Sequence, residues 1–405
     1  MKCILLIIDG LGDLPSDELG GDTPLEAAHT PVLDRMAAAG SYGLIDPIAA
    51  GEIPNTHSGV GILFGMKPGQ TNRLRRGPVE AAGLGLPMKP GDIALRANFA
   101  TVDQSADGLL VRDRRAGRIS QDTAELAIPF KLVQLGDGIT ASLRNTDQHR
   151  AVLLLSGPGL DSRVSDTDPG DIAMPALLAK SVAQVSSAGK TAEKINTFVA
   201  LAHRELSAHP LNLKRIQQGK LPASGIITRG AGATSGFNSR ISDAGISTAL
   251  VSGCNTVKGL GRLFGFDIIS DKRFTADRFT DLDAKVEAVI TALASHDLVY
   301  LHIKAPDLFS HDHQPRAKKE FLERMDGALG PLLRSGAMIA VSADHTTNSN
   351  TGSHTADPVP ALLYIPGQRT HQRSVYFGER WCKEGNLPRQ PSSEFLQNIT
   401  EIMSN

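Results

Sequence analysis

Short, continuous runs of apolar residues recur along the chain, and segments with helical periodicity separate them. Unbroken apolar runs of this length are typical of strands buried on both faces of a parallel sheet. The strand-like runs cover residues 2–8, 247–252, 298–303, 338–342 and 361–365. The helical patterns between them cover residues 24–40, 284–295 and 316–333. This alternation of strand and helix predicts an α/β layered fold with a mainly parallel sheet.

The middle of the chain has a different pattern. It is charged and rich in turn residues, with strand patterns at 94–102 and 151–155 and helical patterns at 174–185 and 192–207. A chain of 405 residues is also too long for one ordinary hydrophobic core. We therefore predict a discontinuous core domain, residues 1–93 with 225–405, and a smaller inserted α+β domain, residues 94–224.

Composition and charge narrow the classes of function. Apolar residues make up 41% of the chain and charged residues 21%, as in an ordinary folded globular protein. The formal net charge is −1 and no basic run or basic-aromatic stripe stands out, so we predict neither a nucleic-acid nor a membrane partner. The N-terminal apolar run is interrupted by Asp9 and is too short to span a bilayer. Nothing in the sequence indicates the oligomeric state.

The three cysteines, Cys3, Cys254 and Cys382, are scattered along the chain without a CxxC spacing. An odd number of isolated cysteines argues against a disulfide framework and against a thiolate metal site. The same usage is typical of a reducing compartment. We therefore predict a cytoplasmic protein.

Carboxylates and histidines follow three of the predicted strands. Asp9 ends the first apolar run, Asp344 and His345 end another, and Asp307 and His311 follow a third in "HIKAPDLFSHDH". Ligands of open α/β sheets gather at the carboxyl ends of the strands, so these side chains are predicted to meet at one edge. Each residue alone has an ordinary interpretation, since an aspartate after a strand is usually a turn former or a helix cap.

A metal site explains the set better than separate structural roles do. His354 lies in the polar stretch "SADHTTNSNTGSHTADPVP", close after Asp344 and His345. Carboxylate and imidazole groups are costly to bury unless they are paired or bind a cation. Oxygen and nitrogen ligands without cysteine favour Mn²⁺, with Mg²⁺ and Zn²⁺ as alternatives, over a soft metal.

A candidate nucleophile, Thr56, occurs in "GEIPNTHSGVGILFGMKP" before a glycine-punctuated helical segment. One interpretation makes Thr56 the N-cap of that helix. The other makes its hydroxyl a nucleophile activated by a metal, with the helix N-terminus stabilising phosphate oxygens. A residue at a helix start suits both roles, and the local sequence leaves both open.

The order of the motifs resembles that of the cofactor-independent phosphoglycerate mutases, in particular their archaeal-type branch within the alkaline phosphatase superfamily. The resemblance covers nearly the whole chain. The matching segments are "IIDGLGDLPSDELGGDTPLEAAHTPVLDRMAAAG", "RGPVEAAGLG", "RANFATVD", "RDRRAGRIS", "HRAVLLLSG", "SDTDPGD", "TAEKINTF", "HPLN", "TRGAG", "HIKAPDLFSHD" and "ADHTTNSNTGSHTADPVP". The resemblance implies an alkaline-phosphatase-like core, two divalent metal ions and an inserted domain that closes over the substrate.

The resemblance also implies a role for each matched residue. One metal ion would be held by Asp307, His311 and His354, and the other by Asp9, Asp344, His345 and the oxygen of Thr56. The implied substrate contacts are His149, Arg150, Arg112, Arg115, Arg118, Arg229 and Lys258, and the implied general acid or base is Asp166 or Asp168. Arginine suits a substrate with a phosphate and a carboxylate, although the run "RDRRAGR" also fits a solvated turn.

One segment departs from the family pattern. The family has a serine in "GSDTAH", whereas this chain has "PNTHSG", with Thr56 at the serine position and His57 and Val60 where Asp and His follow it. We predict a mutase that interconverts 3-phosphoglycerate and 2-phosphoglycerate through a phosphothreonine. The departure keeps a second hypothesis open, a phosphatase, phosphonate hydrolase or other phosphomutase of the superfamily. A third hypothesis is a metal-bound regulatory protein without catalysis.

Overall fold

The chain divides into two compact units. The computed structural model describes residues 1–71, 74–106, 108–146, 148–170, 174–175, 177, 180, 182, 185–233, 239–368 and 375–404. The core unit comprises residues 1–73 and 236–405, and the inserted unit comprises residues 74–235. The inserted unit is wider than the predicted limits of 94–224, because a helix before and a strand after those limits pack with it.

The described residues form sixteen strands and fourteen α-helices. The strands are β1 (Cys3–Ile8), β2 (Ser41–Ile45), β3 (Ile93–Ser105), β4 (Gly108–Asp113), β5 (Val133–Gln134), β6 (Thr140–Asn145), β7 (Arg150–Ser156), β8 (Met174–Pro175), β9 (Gly225–Ala233), β10 (Thr248–Val251), β11 (Asp267–Ile269), β12 (Leu298–Ile303), β13 (Met338–Ser342), β14 (Thr346–Asn348), β15 (Ser353–Thr355) and β16 (Val359–Tyr364). The helices are α1 (Pro24–Ala27), α2 (Pro31–Ala39), α3 (Thr56–Leu63), α4 (Arg76–Gly83), α5 (Thr123–Leu126), α6 (Ser186–Ser207), α7 (Pro210–Gln217), α8 (Arg240–Asp243), α9 (Asn255–Leu263), α10 (Leu282–Ala292), α11 (Ala305–His311), α12 (Pro315–Leu329), α13 (Glu379–Cys382) and α14 (Ser392–Ser404).

The core unit is built on a seven-stranded sheet with the order β11-β10-β12-β1-β13-β16-β2. The first five strands are parallel, which confirms the predicted α/β class and its mainly parallel sheet. β1 lies between β12 and β13, and all of its residues are buried, as its unbroken apolar sequence predicts. The register pairs Ile8 with Ile303 and Ile7 with Ser342, so the residues that follow the three strands emerge at one level of one edge.

Three sequence predictions differ from the structure. The strand predicted at 361–365 is β16, which is antiparallel to β13, because a β14–β15 hairpin connects the two strands in place of a crossover helix. The helix predicted at 24–40 is broken into α1 and α2, since Pro31 lacks an N–H and disfavours helix at the residue before it. The prediction of a helix at 174–185 is wrong at its start, where the chain forms β8 and pairs with β4 because Pro175 stays extended. Residues 176, 178–179, 181 and 183–184 lie outside the described part of the chain.

The inserted unit has its own antiparallel sheet, with the order β5-β6-β7-β3-β4-β8 and β9 paired to β3. On one face of β3, alternate residues from Ile93 to Phe99 join a hydrophobic core with α6. On the other face Ala94 packs in a smaller cluster with Ala81 of α4. Helices on an antiparallel sheet agree with the predicted α+β character of this part of the chain.

Two further predictions concern bilayers and thiols. Among the helices of the described residues, none combines the length and apolar character that crossing a bilayer requires. Among the described residues, no disulfide joins Cys3, Cys254 or Cys382.

A buried ion pair holds together the loops at the carboxyl edge of the core sheet. Lys318 of α12 is fully buried, and its ammonium donates to Gly10 O (2.8 Å), to Asp13 Oδ2 (2.7 Å) and to Ser310 Oγ (2.9 Å). Ser349 N also donates to Asp13 Oδ1 (2.8 Å). One lysine therefore connects the segment after β1, helix α11 and the loop after β14, and its three N–H donors are all used.

Replacing Lys318 tests this connection. We expect Lys318→Met to lower the free energy of unfolding by about 3–5 kcal/mol, because it leaves the Asp13 carboxylate buried without its cation. The neighbouring Lys319→Met is the matched control, since Lys319 pairs only with Glu323 at the surface and its loss costs about 0.5 kcal/mol or less. Urea unfolding followed by circular dichroism measures both, and equal losses in the two variants would contradict the structural role of Lys318.

Candidate metal centre

The predicted ligands at the edge of the core sheet form two adjacent clusters. In the first cluster Asp307, His311 and His354 converge: His354 Nε2 lies 3.2 Å from His311 Nε2 and 3.5 Å from Asp307 Oδ1, and His311 Nε2 lies 3.3 Å from the same oxygen. In the second cluster His345 Nε2 lies 3.4 Å from Asp9 Oδ1 and 3.1 Å from Asp344 Oδ2. The rings of His345 and His354 stack with centroids 3.7 Å apart, which places the clusters side by side.

The topology explains why residues so distant in sequence meet. Asp9 follows β1, Asp344 and His345 follow β13, and Asp307 and His311 lie on α11, which begins just after β12. The 307 and 311 positions are four apart, so α11 presents both side chains on one face. His354 is brought in by the β14–β15 hairpin, where it pairs with Thr347.

The hydrogen bonds of the first cluster fix which histidine nitrogens carry protons. His311 Nδ1 lies 2.7 Å from Gly352 O, and His354 Nδ1 lies 3.0 Å from Pro54 O. A carbonyl oxygen only accepts, so both Nδ1 atoms are protonated donors. In the neutral ring each Nε2 then offers a lone pair, and the two lone pairs face each other beside a carboxylate oxygen.

The second cluster follows the same logic. Thr347 Oγ1 donates to Asp307 Oδ1 (2.8 Å), so it accepts from His345 Nδ1 at 2.9 Å and leaves His345 Nε2 as an acceptor. Asp344 Oδ1 accepts from Gly10 N at 3.1 Å, whereas the buried Asp344 Oδ2 has no hydrogen-bond partner among the described residues, although His345 Nε2 is near. Converging acceptors with an orphaned carboxylate oxygen are what a cation requires, so both donor sets fit a divalent metal ion.

Lys304, a residue that the sequence argument missed, lies between the clusters. Its ammonium is 2.8 Å from Asp9 Oδ1, 2.6 Å from Asp307 Oδ2 and 3.4 Å from Thr56 Oγ1. Burial lowers the pKa of Lys304, but the two carboxylates outweigh burial and raise the pKa well above its usual range. The pKa of Asp307 responds in the opposite sense: burial raises it, and Lys304 brings it well below its usual range. The sequence feature that could have identified Lys304 is its position directly after a strand, inside the motif that supplied Asp307.

Protons compete with a metal ion for the first cluster. A hydrogen bond to Asp307 raises the pKa of His311, against the opposing effect of burial. A group whose pKa is raised binds its proton at higher pH than the free side chain does. Lowering the pH therefore weakens any metal bound through His311 Nε2.

Thr56 stands at the first position of α3, and the cap of that helix is a different residue. Asn55 Oδ1 accepts from His57 N (3.0 Å) and Ser58 N (3.2 Å), which makes Asn55 the N-cap. The interpretation of Thr56 as a cap is therefore wrong. Its hydroxyl instead lies 3.4 Å from His345 Nε2. The amides of His57 and Ser58 donate to Asn55, and the use of the helix N-terminus for phosphate oxygens stays a prediction.

The predicted substrate contacts differ in their exposure to solvent, and one of them lies in the core unit. His149 is buried, and Arg229 of β9 pairs in register with Arg96 of β3. Arg112, Arg115 and Arg118 are exposed, and Arg112 pairs with Asp103 at 3.0 Å. Lys258 lies half-buried on α9 of the core unit.

A polar cluster on the face of β3 opposite its hydrophobic core contains residues that the sequence argument missed. Arg96 and Asn98 alternate with the core residues of β3, and Arg150 pairs in register with Asn98. Four side-chain atoms are buried and find no hydrogen-bond partner within the part of the chain that the structure describes: Arg96 Nε, Asn98 Oδ1, His149 Nδ1 and Arg229 Nε. Burial and neighbouring arginines, opposed by Glu80, lower the pKa of Arg96 to about 9, and burial with neighbouring arginines lowers the pKa of His149 to about 4. The signal for Arg96 and Asn98 was their place at alternate positions of an otherwise apolar strand.

The two candidate acid/base aspartates have different surroundings. Asp168 is buried and accepts from Arg114 Nε and Nη2, both at 2.7 Å. Burial raises the pKa of Asp168, but these bonds outweigh burial and lower the pKa below its usual value. Asp166 is exposed and accepts from Gly230 N at 2.8 Å. Asp168 is thus committed to holding Arg114, and Asp166 retains carboxylate oxygen for another partner.

Comparisons with known proteins bear on the whole chain. The sequence model of the Metalloenzyme superfamily matches residues 1–397. The chain is 38% identical to 2,3-bisphosphoglycerate-independent phosphoglycerate mutase 1 of Archaeoglobus fulgidus, over 100% of this chain and 98% of that protein. It is 38% identical to 2,3-bisphosphoglycerate-independent phosphoglycerate mutase of Methanopyrus kandleri, over 91% and 88%. The solved cofactor-independent phosphoglycerate mutase of Thermoplasma acidophilum is 31% identical, with 100% of both chains covered and a TM-score of 0.73.

Gly59 offers a test of how α3 is seated at the clusters. A Cβ at Gly59 would lie 2.0 Å from Asp344 O, which is backbone and cannot yield, so only glycine lets α3 approach Asp344 this closely. We expect Gly59→Ala to displace Thr56 from His345 and to weaken Mn²⁺ binding at least tenfold, as measured by Mn²⁺ titration of chelator-treated protein. Gly327→Ala on α12 is the control, since a Cβ there meets nothing within 4 Å, and it should leave binding unchanged. Wild-type affinity in Gly59→Ala would contradict the close seating of α3.

Proposed function

The chain belongs to the Metalloenzyme superfamily and, within it, to the 2,3-bisphosphoglycerate-independent phosphoglycerate mutases, and from that premise we propose that it interconverts 3-phosphoglycerate and 2-phosphoglycerate through a phosphothreonine on Thr56. The observation that carries the proposal is the placement of one hydroxyl beside both a candidate metal ligand and the ammonium of Lys304. Thr56 Oγ1 lies 3.4 Å from His345 Nε2 and 3.4 Å from Lys304 Nζ. A cytoplasmic location is part of the proposal and rests on the scattered cysteines.

We propose that the site holds two divalent ions, with Mn²⁺ as the first choice. One ion would be held by Asp307, His311 and His354, and the other by Asp9, Asp344 and His345. The ions would supply Lewis-acid stabilisation of phosphoryl and hydroxyl oxygens. The charges of the site support two ions. Asp9, Asp307 and Asp344 contribute three negative charges and Lys304 one positive charge. With two divalent ions the site carries an excess of two positive charges, which a phosphate dianion neutralises.

The chain's own residues then perform a balanced phosphoryl exchange. The Thr56 hydroxyl gives its proton to solvent and its oxygen forms a bond to phosphorus, while the bond between phosphorus and O3 of the glycerate breaks and that oxygen gains a proton. The Lys304 ammonium stabilises negative charge on the oxygens that surround phosphorus. In the second half, O2 of the same glycerate loses its proton and takes the phosphoryl group, which restores Thr56. We assign the proton transfers on glycerate to Asp166, because Asp168 is committed to Arg114.

The arginine cluster of the inserted unit supports an anionic substrate. Among the described residues, Arg96 is influenced by Arg76, Arg150 and Arg229, and Arg229 also by Arg114. Like charges that face each other across strands, as Arg96 and Arg229 do, are destabilising unless anions lie near them, and Glu80 lies 3.7 Å from Arg96 and Asp168 3.9 Å from Arg229. We propose that this cluster, with His149, binds the carboxylate and hydroxyl groups of glycerate. We assign the exposed Arg112, Arg115 and Arg118 a secondary role in substrate binding, through electrostatic attraction of the anionic substrate.

The nucleophile is tested by two substitutions at one position. We expect Thr56→Ala to lower mutase activity by about a thousandfold or more, because no other hydroxyl replaces the nucleophile. Thr56→Ser keeps the oxygen and should retain activity within about tenfold of wild type. The assay is interconversion of 2- and 3-phosphoglycerate by Mn²⁺-loaded protein without bisphosphoglycerate. Release of inorganic phosphate faster than mutase turnover would favour the hydrolase alternative, and full activity in Thr56→Ala would exclude the phosphothreonine.

Substrate binding by the inserted unit is tested at Arg229. We expect Arg229→Met to raise the KM for 3-phosphoglycerate about 10- to 100-fold, since a charge-assisted hydrogen bond to the substrate is lost, with a smaller change in kcat. Arg204→Met is the control, because Arg204 is exposed on α6 and pairs with its neighbour Glu205. A fall in kcat at unchanged KM would contradict a binding role for Arg229.

A further inference from the structure

A buried chain of hydrogen bonds runs from the start of α9 to the second cluster. Ser252, just after β10, and His302, inside β12, have side chains that are almost completely buried. Ser252 Oγ lies 3.3 Å from His302 Nδ1, and His302 Nε2 lies 2.9 Å from Asp9 Oδ2. This series of hydrogen bonds thus ends on the carboxylate of Asp9, a proposed metal ligand, at the oxygen that faces away from the cluster.

The partners determine the direction of each bond. The Asp9 carboxylate accepts, so His302 Nε2 donates to Asp9 Oδ2 at 2.9 Å. Cys254 N donates to Ser252 Oγ at 3.1 Å, which leaves the hydroxyl hydrogen of Ser252 for His302 Nδ1. His302 is therefore held in the tautomer whose proton lies on Nε2, with a donor on one side and an acceptor on the other.

The two oxygens of Asp9 have separate partners as a result. Oδ2 accepts from His302, whereas Oδ1 faces Lys304 Nζ at 2.8 Å and His345 Nε2 at 3.4 Å. Partners behind a metal ligand commonly orient it, and their loss weakens metal binding about 10- to 100-fold. We propose that His302 is a positioning residue that keeps Asp9 Oδ2 occupied, so that Asp9 presents Oδ1 alone to the metal ion of the second cluster.

This role differs from that of a histidine that only fills the core. A filling role would cost stability in any variant without affecting metal affinity in the folded protein. A positioning role depends on the N–H that points at Asp9, so a side chain that restores this donor restores the affinity. The inference rests on the metal site of the proposed function and on no step of the mutase reaction.

The experiment compares His302→Leu with His302→Gln by titrating Mn²⁺ into chelator-treated, full-length protein and following free Mn²⁺ by electron paramagnetic resonance. We expect His302→Leu to weaken Mn²⁺ binding at one site about 10- to 100-fold, and His302→Gln, whose amide N–H reaches the same place, to recover it to within about fivefold of wild type. His296→Leu is the matched control, because His296 pairs with Asp267 away from the clusters, and its affinity should stay within about twofold of wild type. The rise in melting temperature caused by Mn²⁺ should follow the same order.

Each outcome has a distinct meaning. Wild-type affinity in His302→Leu, or equal weakening in the Leu and Gln variants, overturns the positioning role and leaves the mutase proposal intact. Absence of Mn²⁺ binding in the wild-type protein overturns the metal site and the proposed function with it. If His302→Leu does not fold, Ser252→Ala decides the question, because it keeps the imidazole and removes only the donor that fixes its tautomer. We expect a loss of about three- to tenfold, and unchanged affinity there also overturns the role.

Discussion

The core unit is organised around an electrostatic constraint: three buried carboxylates converge within a few ångströms with the lone pairs of three imidazoles, of which His345 is buried and His311 and His354 are partly exposed. Such a set is stable only with cations, because unpaired buried charges are far costlier than a few hydrogen bonds can offset. Lys304 supplies one cation from the chain itself, and the donor sets around it fit two divalent ions. Every ligand atom that faces away from the clusters has an identified partner, which is how the remaining lone pairs are aimed inward.

The rest of the core unit holds these groups in place. The parallel register of β12, β1 and β13 brings their carboxyl ends to one level, and the buried Lys318 connects the loops that leave that level. Gly59 lets α3 press against the backbone of Asp344, which delivers Thr56 to the clusters. The sheet, the buried ion pair and the glycine thus have one common effect: together they hold a single hydroxyl beside a fixed set of candidate ligands.

The inserted unit has a corresponding electrostatic constraint, but there the clustered side chains are positively charged. Arg96, Arg150 and Arg229 share one face of its sheet, with Glu80 near Arg96 and Asp168 near Arg229. A surface of this kind is balanced by an anion, and a phosphorylated hydroxy acid provides both phosphate and carboxylate.

The sequence by itself determined the fold class and the positions of the candidate ligands, because unbroken apolar runs identify buried strands and polar residues at their ends indicate the edge where ligands bind. It resolved Asp9, Asp307, Asp344 and His345 for that reason. Only the tertiary structure decided which atoms face each other: the tautomers of the histidines, the cap on Asn55 in place of Thr56, and the positions of Lys304, His302 and Arg96. These depend on strand order, register and partners hundreds of residues away, and the local pattern of apolar and polar residues carries no information about such contacts. The helix broken at Pro31 and the antiparallel β16 have the same origin, since one local proline and one hairpin connection override the wider periodicity.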